Sequence, residues 1–275
     1  MSDNASKAID TKDPGELLAP TPGLSGEVRS ASKHDSGPKH VAGEAVYVDD
    51  ILEPFGTLHL APGAATIAHG RITKMDLSKV RSAPGVVCVL TADDVPGVND
   101  VSPAHTHDDP VLPDGIVQFY GQPVFCVAAE TREQARNAVK LAEIEYEELP
   151  AILSVKEALE KQQFVAPPHV MAQGDAKSAL ARAKHRRSGV MEIGGQDHFY
   201  LERQITFAIP QEDGDVLLHC STQHPSEVQH NIANVLGRPA NAVTVEVRRM
   251  GGGFGGKETQ ASQWAALAAI VAVKT

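Results

Sequence analysis

The residues best able to do chemistry lie together near the C-terminal end, in Arg248-Arg249-Met250-Gly251-Gly252-Gly253-Phe254-Gly255-Gly256-Lys257-Glu258. A glycine-rich turn between a strand and a helix lets backbone N–H groups converge on an anion. Gly251, Gly253 and Gly256 satisfy G-x-G-x-x-G. A dinucleotide site also needs a βαβ unit of about 30 residues and an acidic residue about 20 positions further on. Only 19 residues follow Gly256, with no second strand among them. Gly251-x4-Gly256-Lys257 also matches a phosphate-binding P-loop except at its last position, where a Ser or Thr hydroxyl would bind magnesium. Glu258 stands there instead and would repel nucleotide phosphates. Neither phosphate reading fits. A tight turn without a ligand is the plain alternative, with Glu258 in the first turn of the helix only complementing its dipole.

Other chemistry-bearing residues argue for less. His105 and His107 beside Asp108 and Asp109 offer metal-ligand types, but in a Pro-flanked loop their spacing suits a solvated turn. His224 and His230 fall on different faces of one expected helix. Asp49 and Asp50 point to opposite faces of a strand and cannot share a proton. Cys88, Cys126 and Cys220 lie far apart without CxxC spacing, so they supply neither a zinc site nor an iron–sulfur cluster. They read as small buried hydrophobes in a reducing compartment.

These residues must be positioned by a core, and 275 residues suffice for one or two domains. Residues 1–37 hold Ser, Asp, Lys, Pro and Gly without hydrophobic period and read as a disordered tail. Short β-rich runs follow at 57–61, 66–75, 86–91 and 124–129. Val86-Val87-Cys88-Val89-Leu90 has the pattern of a strand buried on both faces. Thr131 and Gln134 have capping-box spacing ahead of an apolar stripe of Ala135, Ala138, Val139 and Ala142. A strand is expected at 142–146. A linker then spans 151–174 around a short helix at 155–161. In the second region, from 175, strands are expected at 198–209, 215–221 and 242–247. Pro225 and Gly237 frame a helix with Val228, Ile232, Val235 and Leu236 inward. A strongly apolar helix is expected over 259–273. No internal repeat is visible. That last helix lacks a terminating signal, and the second region is short, so a truncated polypeptide is expected.

Composition bounds the partners. A formal net charge of −10, from 25 basic and 35 acidic residues, argues against a nucleic-acid binder. No signal-peptide core or membrane span is evident, and the expectation is a cytoplasmic protein with no membrane partner.

The segment 248–258 resembles the molybdopterin loop of the xanthine dehydrogenase/aldehyde oxidase family. Gly194-Gly195-Gln196-Asp197-His198-Phe199-Tyr200-Leu201-Glu202 is similar to the family's second signature, and Ser221-Thr222-Gln223-His224-Pro225-Ser226-Glu227-Val228-Gln229-His230 to the segment between them. Gly43-Glu44-Ala45-Val46-Tyr47-Val48-Asp49-Asp50-Ile51, Gly121-Gln122-Pro123 and Glu145-Tyr146-Glu147-Glu148-Leu149-Pro150 resemble its hammerhead domain. The resemblance covers about residues 38–275.

It implies an α+β fold: a hammerhead domain over 38–150, then the first, incomplete part of a mixed α/β molybdopterin-binding domain over 175–275. It places Gln196, Gly253, Phe254 and Gly255 at the cofactor, with Gln196 and Phe254 contacting the molybdenum site. Glu258 matches the glutamate that hydrogen-bonds a purine, which tilts the substrate towards hypoxanthine or xanthine. The implied activity is molybdenum-dependent hydroxylation of a purine carbon towards urate. The close alternative is an aldehyde or another N-heterocycle, and an inactive fragment is a further one. A partner subunit is expected to carry the 2Fe-2S clusters and FAD, since this chain has no motif for either. The general-base glutamate is expected in the remainder of the molybdenum subunit, beyond Thr275, so no catalytic base is assigned. The isolated chain is expected neither to hold the cofactor stably nor to turn over xanthine.

Overall fold

The computed structural model describes His34, residues 36–103 and residues 107–275. The expected tail lies almost entirely outside these residues, as does His105 of the histidine–aspartate loop. The chain divides into two compact units, Met1–Val46 and Tyr47–Thr275. In the first, a short helix α1 (Gly37–Ala42) has proline near its start and ends on Gly43, whose φ of 73° closes the helix with a bond to the Lys39 carbonyl.

Among the described residues, the second unit carries nine strands in three open three-stranded sheets. In the first sheet, β1 (His59–Ala64) and β3 (Val86–Leu90) flank β5 (Pro123–Ala129), all antiparallel. The second runs β4 (Ile116–Val117), β2 (Gly70–Asp76), β6 (Glu143–Glu148), again antiparallel. In the third, β7 (Thr206–Pro210) pairs antiparallel with β8 (Val216–Cys220), which pairs parallel with β9 (Val243–Glu246). The helices are α2 (Ser78–Arg81), α3 (Arg132–Val139), α4 (Val155–Lys161), α5 (Ala176–Arg182), α6 (Pro225–Leu236) and α7 (Ala261–Lys274). Helix and sheet are mixed, as the sequence predicts.

Burial falls differently from the expectation. Every residue of β5 is buried, whereas β3 is an edge strand with Val87 half-exposed. The apolar run at 86–90 instead serves two clusters from the sheet's edge, with Val89 beside Val80 of α2 in one and Leu90 in the other. Side chains of β5 alternate in the manner of a strand between two layers. Cys126 and Ala128 enter one cluster, while Phe125 and Val127 enter a second with Val80, Val89 and Val117.

The first of these clusters spans both halves of the unit. Leu90, Val101, Val111, Leu112, Cys126 and Ala128 pack with Val216, Leu218, Ile232, Val235, Ala265 and Ile270. Backbone hydrogen bonds cross the same seam, from Gly97 N to the Val235 carbonyl (2.8 Å) and from Val98 N to that of Asn234 (3.0 Å). Asn231 reaches the Val101 carbonyl, and Gln263 the Val111 carbonyl. Helix α7 is buried around most of its circumference, which explains its continuous alanine-rich composition.

Local signals work as expected. Thr131 caps α3 by accepting from Gln134 N at 3.2 Å, although the Gln134 side chain answers the Thr131 hydroxyl and not its backbone N–H. Helix α6 starts at Pro225 and ends on Gly237 at φ 63°, with Val228, Ile232, Val235 and Leu236 buried. The strand expected over 198–209 forms only as β7, and α5 forms where the sequence pattern predicts no helix.

Candidate functional site

The glycine-rich segment follows β9 and precedes α7, but it is a chain of turns and not a helix start. The helix begins at Ala261 with Gln260 as its cap, so exposed Glu258 lies outside the first turn. The dipole-complementing alternative for Glu258 therefore does not apply.

Three side chains from outside the loop set its shape. Gln223, two residues before α6, accepts from Gly255 N (2.9 Å) and Lys257 N (3.2 Å) through Oε1 and donates its own N–H to the Lys257 carbonyl (2.8 Å). Gln204 Nε2 donates to the Gly256 carbonyl (2.8 Å) and to the Tyr200 hydroxyl (3.1 Å). Glu202 Oε2 accepts from Gly251 N (2.7 Å).

These contacts explain why glycine is needed. A Cβ at position 253 would stand 2.5 Å from Gln223 Oε1, and one at 256 would stand 2.7 Å from the Tyr200 ring. Gly252 and Gly255 have φ of 104° and 90°, and Phe254 is itself held at 51°. The glycines are packed against named neighbours, which a turn tolerating any small residue would not require.

Lys257 points inward. Its side chain is fully buried; Nζ donates to the Glu202 carbonyl and to Ser221 Oγ (both 2.6 Å) and lies 3.5 Å from Glu202 Oε2. The Tyr200 ring centroid is 4.7 Å from the same nitrogen. Burial pushes the lysine below its ordinary pKa, with Glu202 pulling the other way. A P-loop lysine must reach phosphate, and this one cannot. The structure thus supports rejecting a nucleotide site on grounds beyond Glu258.

The N–H groups of Gly252, Gly253 and Phe254 make no hydrogen bond among the described residues, while those of Gly251, Gly255, Gly256 and Lys257 are all engaged. Three successive donors without a protein acceptor, on a backbone kept in shape from behind, suit the anionic oxygens of a molybdenum–pterin cofactor. The residues present fit that group. Gly255 contributes conformation, since its N–H is held by Gln223.

Gln196 is exposed in a stretch without regular structure, and it makes no hydrogen bond among the described residues. The same stretch reaches the loop two residues later: a Cβ at Gly256 would lie 3.3 Å from His198 Nδ1, and Tyr200 and Glu202 pack on 251, 252 and 256. The structure therefore brings the second signature's end to the loop, and Gln196 stands at the free end of that contact. Gln223, Glu202 and Ser221 are anchors that residue spacing does not single out. The family resemblance includes all three within its quoted segments without giving them a role, and the need of a buried lysine for a counter-charge points to Glu202.

No group of three or more metal-ligating side chains occurs among the described residues. No helix there is long and apolar enough to cross a membrane.

Comparison with known proteins agrees with this arrangement. Residues 42–150 match the family described as aldehyde oxidase and xanthine dehydrogenase, a/b hammerhead domain, and residues 159–275 match the molybdopterin cofactor-binding domain. The chain is 42% identical over 243 residues to a xanthine dehydrogenase/oxidase of Gallus gallus, covering 88% of this chain and 18% of that protein. It is 40% identical over 244 residues to an aldehyde oxidase 2 of Rattus norvegicus, with the same coverage. The solved aldehyde oxidoreductase of Desulfovibrio gigas superposes with a TM-score of 0.74 at 27% identity, over 86% of this chain and 29% of that one. The chain thus spans under a fifth of the length of these curated relatives. Two matched domains in succession, with a loop shaped as described, make this chain a member of the xanthine dehydrogenase/aldehyde oxidase family.

Proposed function

We propose that this chain supplies part of the molybdenum site of a hydroxylase acting on hypoxanthine and xanthine. The observation that carries the reading is the row of N–H donors at 252–254 that make no hydrogen bond among the described residues, beside exposed Glu258. When bound, a molybdenum–pterin cofactor would supply hydroxylation at carbon with removal of two electrons. The protein's part is orientation and electrostatics. The N–H groups of Gly253 and Phe254 and the Gln196 amide hold anionic oxygens in place, and Gly255 keeps the backbone turned towards them. Glu258 hydrogen-bonds the purine ring and selects its tautomer.

The 2Fe-2S clusters and FAD belong, in this reading, to a partner subunit in the cytoplasm. Val190, Met191, Ile193, Phe199 and Leu201 stand exposed around Gln196, which suits a segment that docks on further polypeptide. The domain limits assigned with this reading are 38–150 for the hammerhead, 151–174 for the linker and 175–275 for the cofactor domain. An aldehyde-oxidising activity is the second reading, favoured by the near-equal identity to aldehyde oxidase 2.

The test uses the protein purified, with whatever subunits accompany it, from cells that make the cofactor. Molybdenum per chain and urate formed from xanthine are measured for wild type and Glu258→Val. Loss of urate formation with molybdenum retained supports the purine reading. Unchanged xanthine turnover, or turnover of aldehydes alone, overturns it.

A further inference from the structure

The buried cluster of Lys257, Glu202 and Ser221 has no part in the chemistry above, yet its geometry is unusually complete. Lys257 Nζ reaches the carbonyl and, at 3.5 Å, the carboxylate of one residue, together with the hydroxyl of a second. Ser221 Oγ accepts from the lysine and donates to Glu202 Oε2 at 2.7 Å. That same oxygen accepts from Gly251 N at 2.7 Å. One carboxylate oxygen thus ties together the start of the glycine loop, the end of β8 and, through its own chain, the segment carrying Gln196. Lys257 closes the circuit from the far end of the loop.

Buried ion pairs of this kind contribute little net stability, because desolvation offsets attraction. Two apolar side chains would fill the same space without that penalty. What the charges add is directional: hydrogen bonds accepted by one carboxylate and donated by one ammonium fix three chain segments relative to one another. Two of the three segments joined are those that the functional reading places on the cofactor.

We propose that Glu202 and Lys257 are positioning residues, whose buried pair, keyed by Ser221, fixes the loop donors at 252–254 against the Gln196 segment. The role rests on the functional reading for its purpose, but its geometry can be tested without the cofactor. The amides of Gly255 and Lys257 are suitable reporters, because both bond to Gln223 and neither bonds to the Glu202 or Lys257 side chain. Disruption confined to the pair itself would leave them unchanged. A shift in the loop's register would expose them.

Hydrogen–deuterium exchange is followed in wild type, Glu202→Gln, Lys257→Met and the double variant, with Leu218 and Ile232 as core references. In each single variant the Gly255 and Lys257 amides are expected to exchange about ten-fold faster or more, with the core amides unaltered. The double variant leaves no uncompensated buried charge, so it keeps the proposal testable should a single variant not fold. Its core amides are expected to stay protected while the loop amides remain fast. Wild-type protection of the loop in the double variant, or equal acceleration of loop and core in a single variant that still folds, overturns the positioning role. Molybdenum content of protein from cofactor-making cells is expected to fall in the same order as loop protection, and full retention in all three variants also overturns it. Absence of molybdenum from the wild-type chain purified with the remainder of its molybdenum subunit would instead overturn the functional reading, and the exchange result would then decide the positioning role alone.

Discussion

Replacing Gly253 by alanine tests the loop's construction at one atom. The new Cβ would stand 2.5 Å from Gln223 Oε1, 2.7 Å from its Cδ and 2.9 Å from its Cγ, where ordinary contact begins at 3.4 Å. The glutamine amide must withdraw by about 1 Å in a packed setting. That breaks its bonds to Gly255 N and Lys257 N, at 2.9 and 3.2 Å. At about 1 kcal/mol for each bond, the loss is about 2 kcal/mol, lessened by about 0.4–1 kcal/mol because alanine stiffens the unfolded chain. Gln223→Ala removes the same acceptor and should cost a similar amount. The two changes should not add: the three atoms nearest the new Cβ all belong to Gln223, so with that side chain truncated Gly253→Ala should cost close to zero. Urea denaturation followed by the single tryptophan, Trp264 in α7, measures all four corners of the cycle. An equal cost of Gly253→Ala in both backgrounds would refute the reasoning and place the need for glycine in the backbone itself.

Other consequences can be checked on the same protein. Burial pushes the thiols of Cys126 and Cys220 up to about 12 and about 11, from an ordinary 9.0. The folded state therefore keeps protons that the unfolded chain releases, and stability should fall as pH rises above 9, by about 1.4 kcal/mol per thiol per pH unit until its folded value is reached. Urea midpoints at pH 8, 9 and 10 show this, and a flat profile contradicts it; both thiols should also resist alkylation at pH 8 until the protein unfolds. Gly97→Ala drives a Cβ to 2.2 Å from the Asn234 carbonyl oxygen and 2.5 Å from Gly237 N, both backbone, and should cost about 3 kcal/mol in the same denaturation assay. A loss under about 1 kcal/mol would show that the seam between the halves does not bear on stability. Thr131→Ala removes the α3 cap and should cost about 1 kcal/mol by the same measurement.

What the sequence reveals follows from the range of the forces involved. The ends of α6 and α3 are legible because proline, glycine and threonine act within a turn of where they stand. The glycine loop is legible for the same reason, while the fold class is legible through the family resemblance. The exposure of Val87 is not legible, because an apolar run does not say whether it lies at the edge or the centre of a sheet. Nor is the pairing of Lys257 with Glu202, which are 55 residues apart and meet only because β8 and its crossover helix bring Ser221 between them. The core shared by Leu90, Cys126, Leu218 and Ile232 is equally invisible in a pattern read segment by segment. Gln196 is legible by resemblance alone, since a glutamine in an exposed glycine-flanked stretch has no physical mark of its own.

In the proposed function the donors at 252–254 and the Gln196 amide face a molybdenum centre. An anomalous difference map at the molybdenum K edge, from crystals of the cofactor-loaded protein, tests it most directly. The expected result is a single peak beside the Phe254 N–H and within reach of the Gln196 side chain. A peak elsewhere in the protein, or loaded crystals whose 252–254 amides face only solvent, would contradict it.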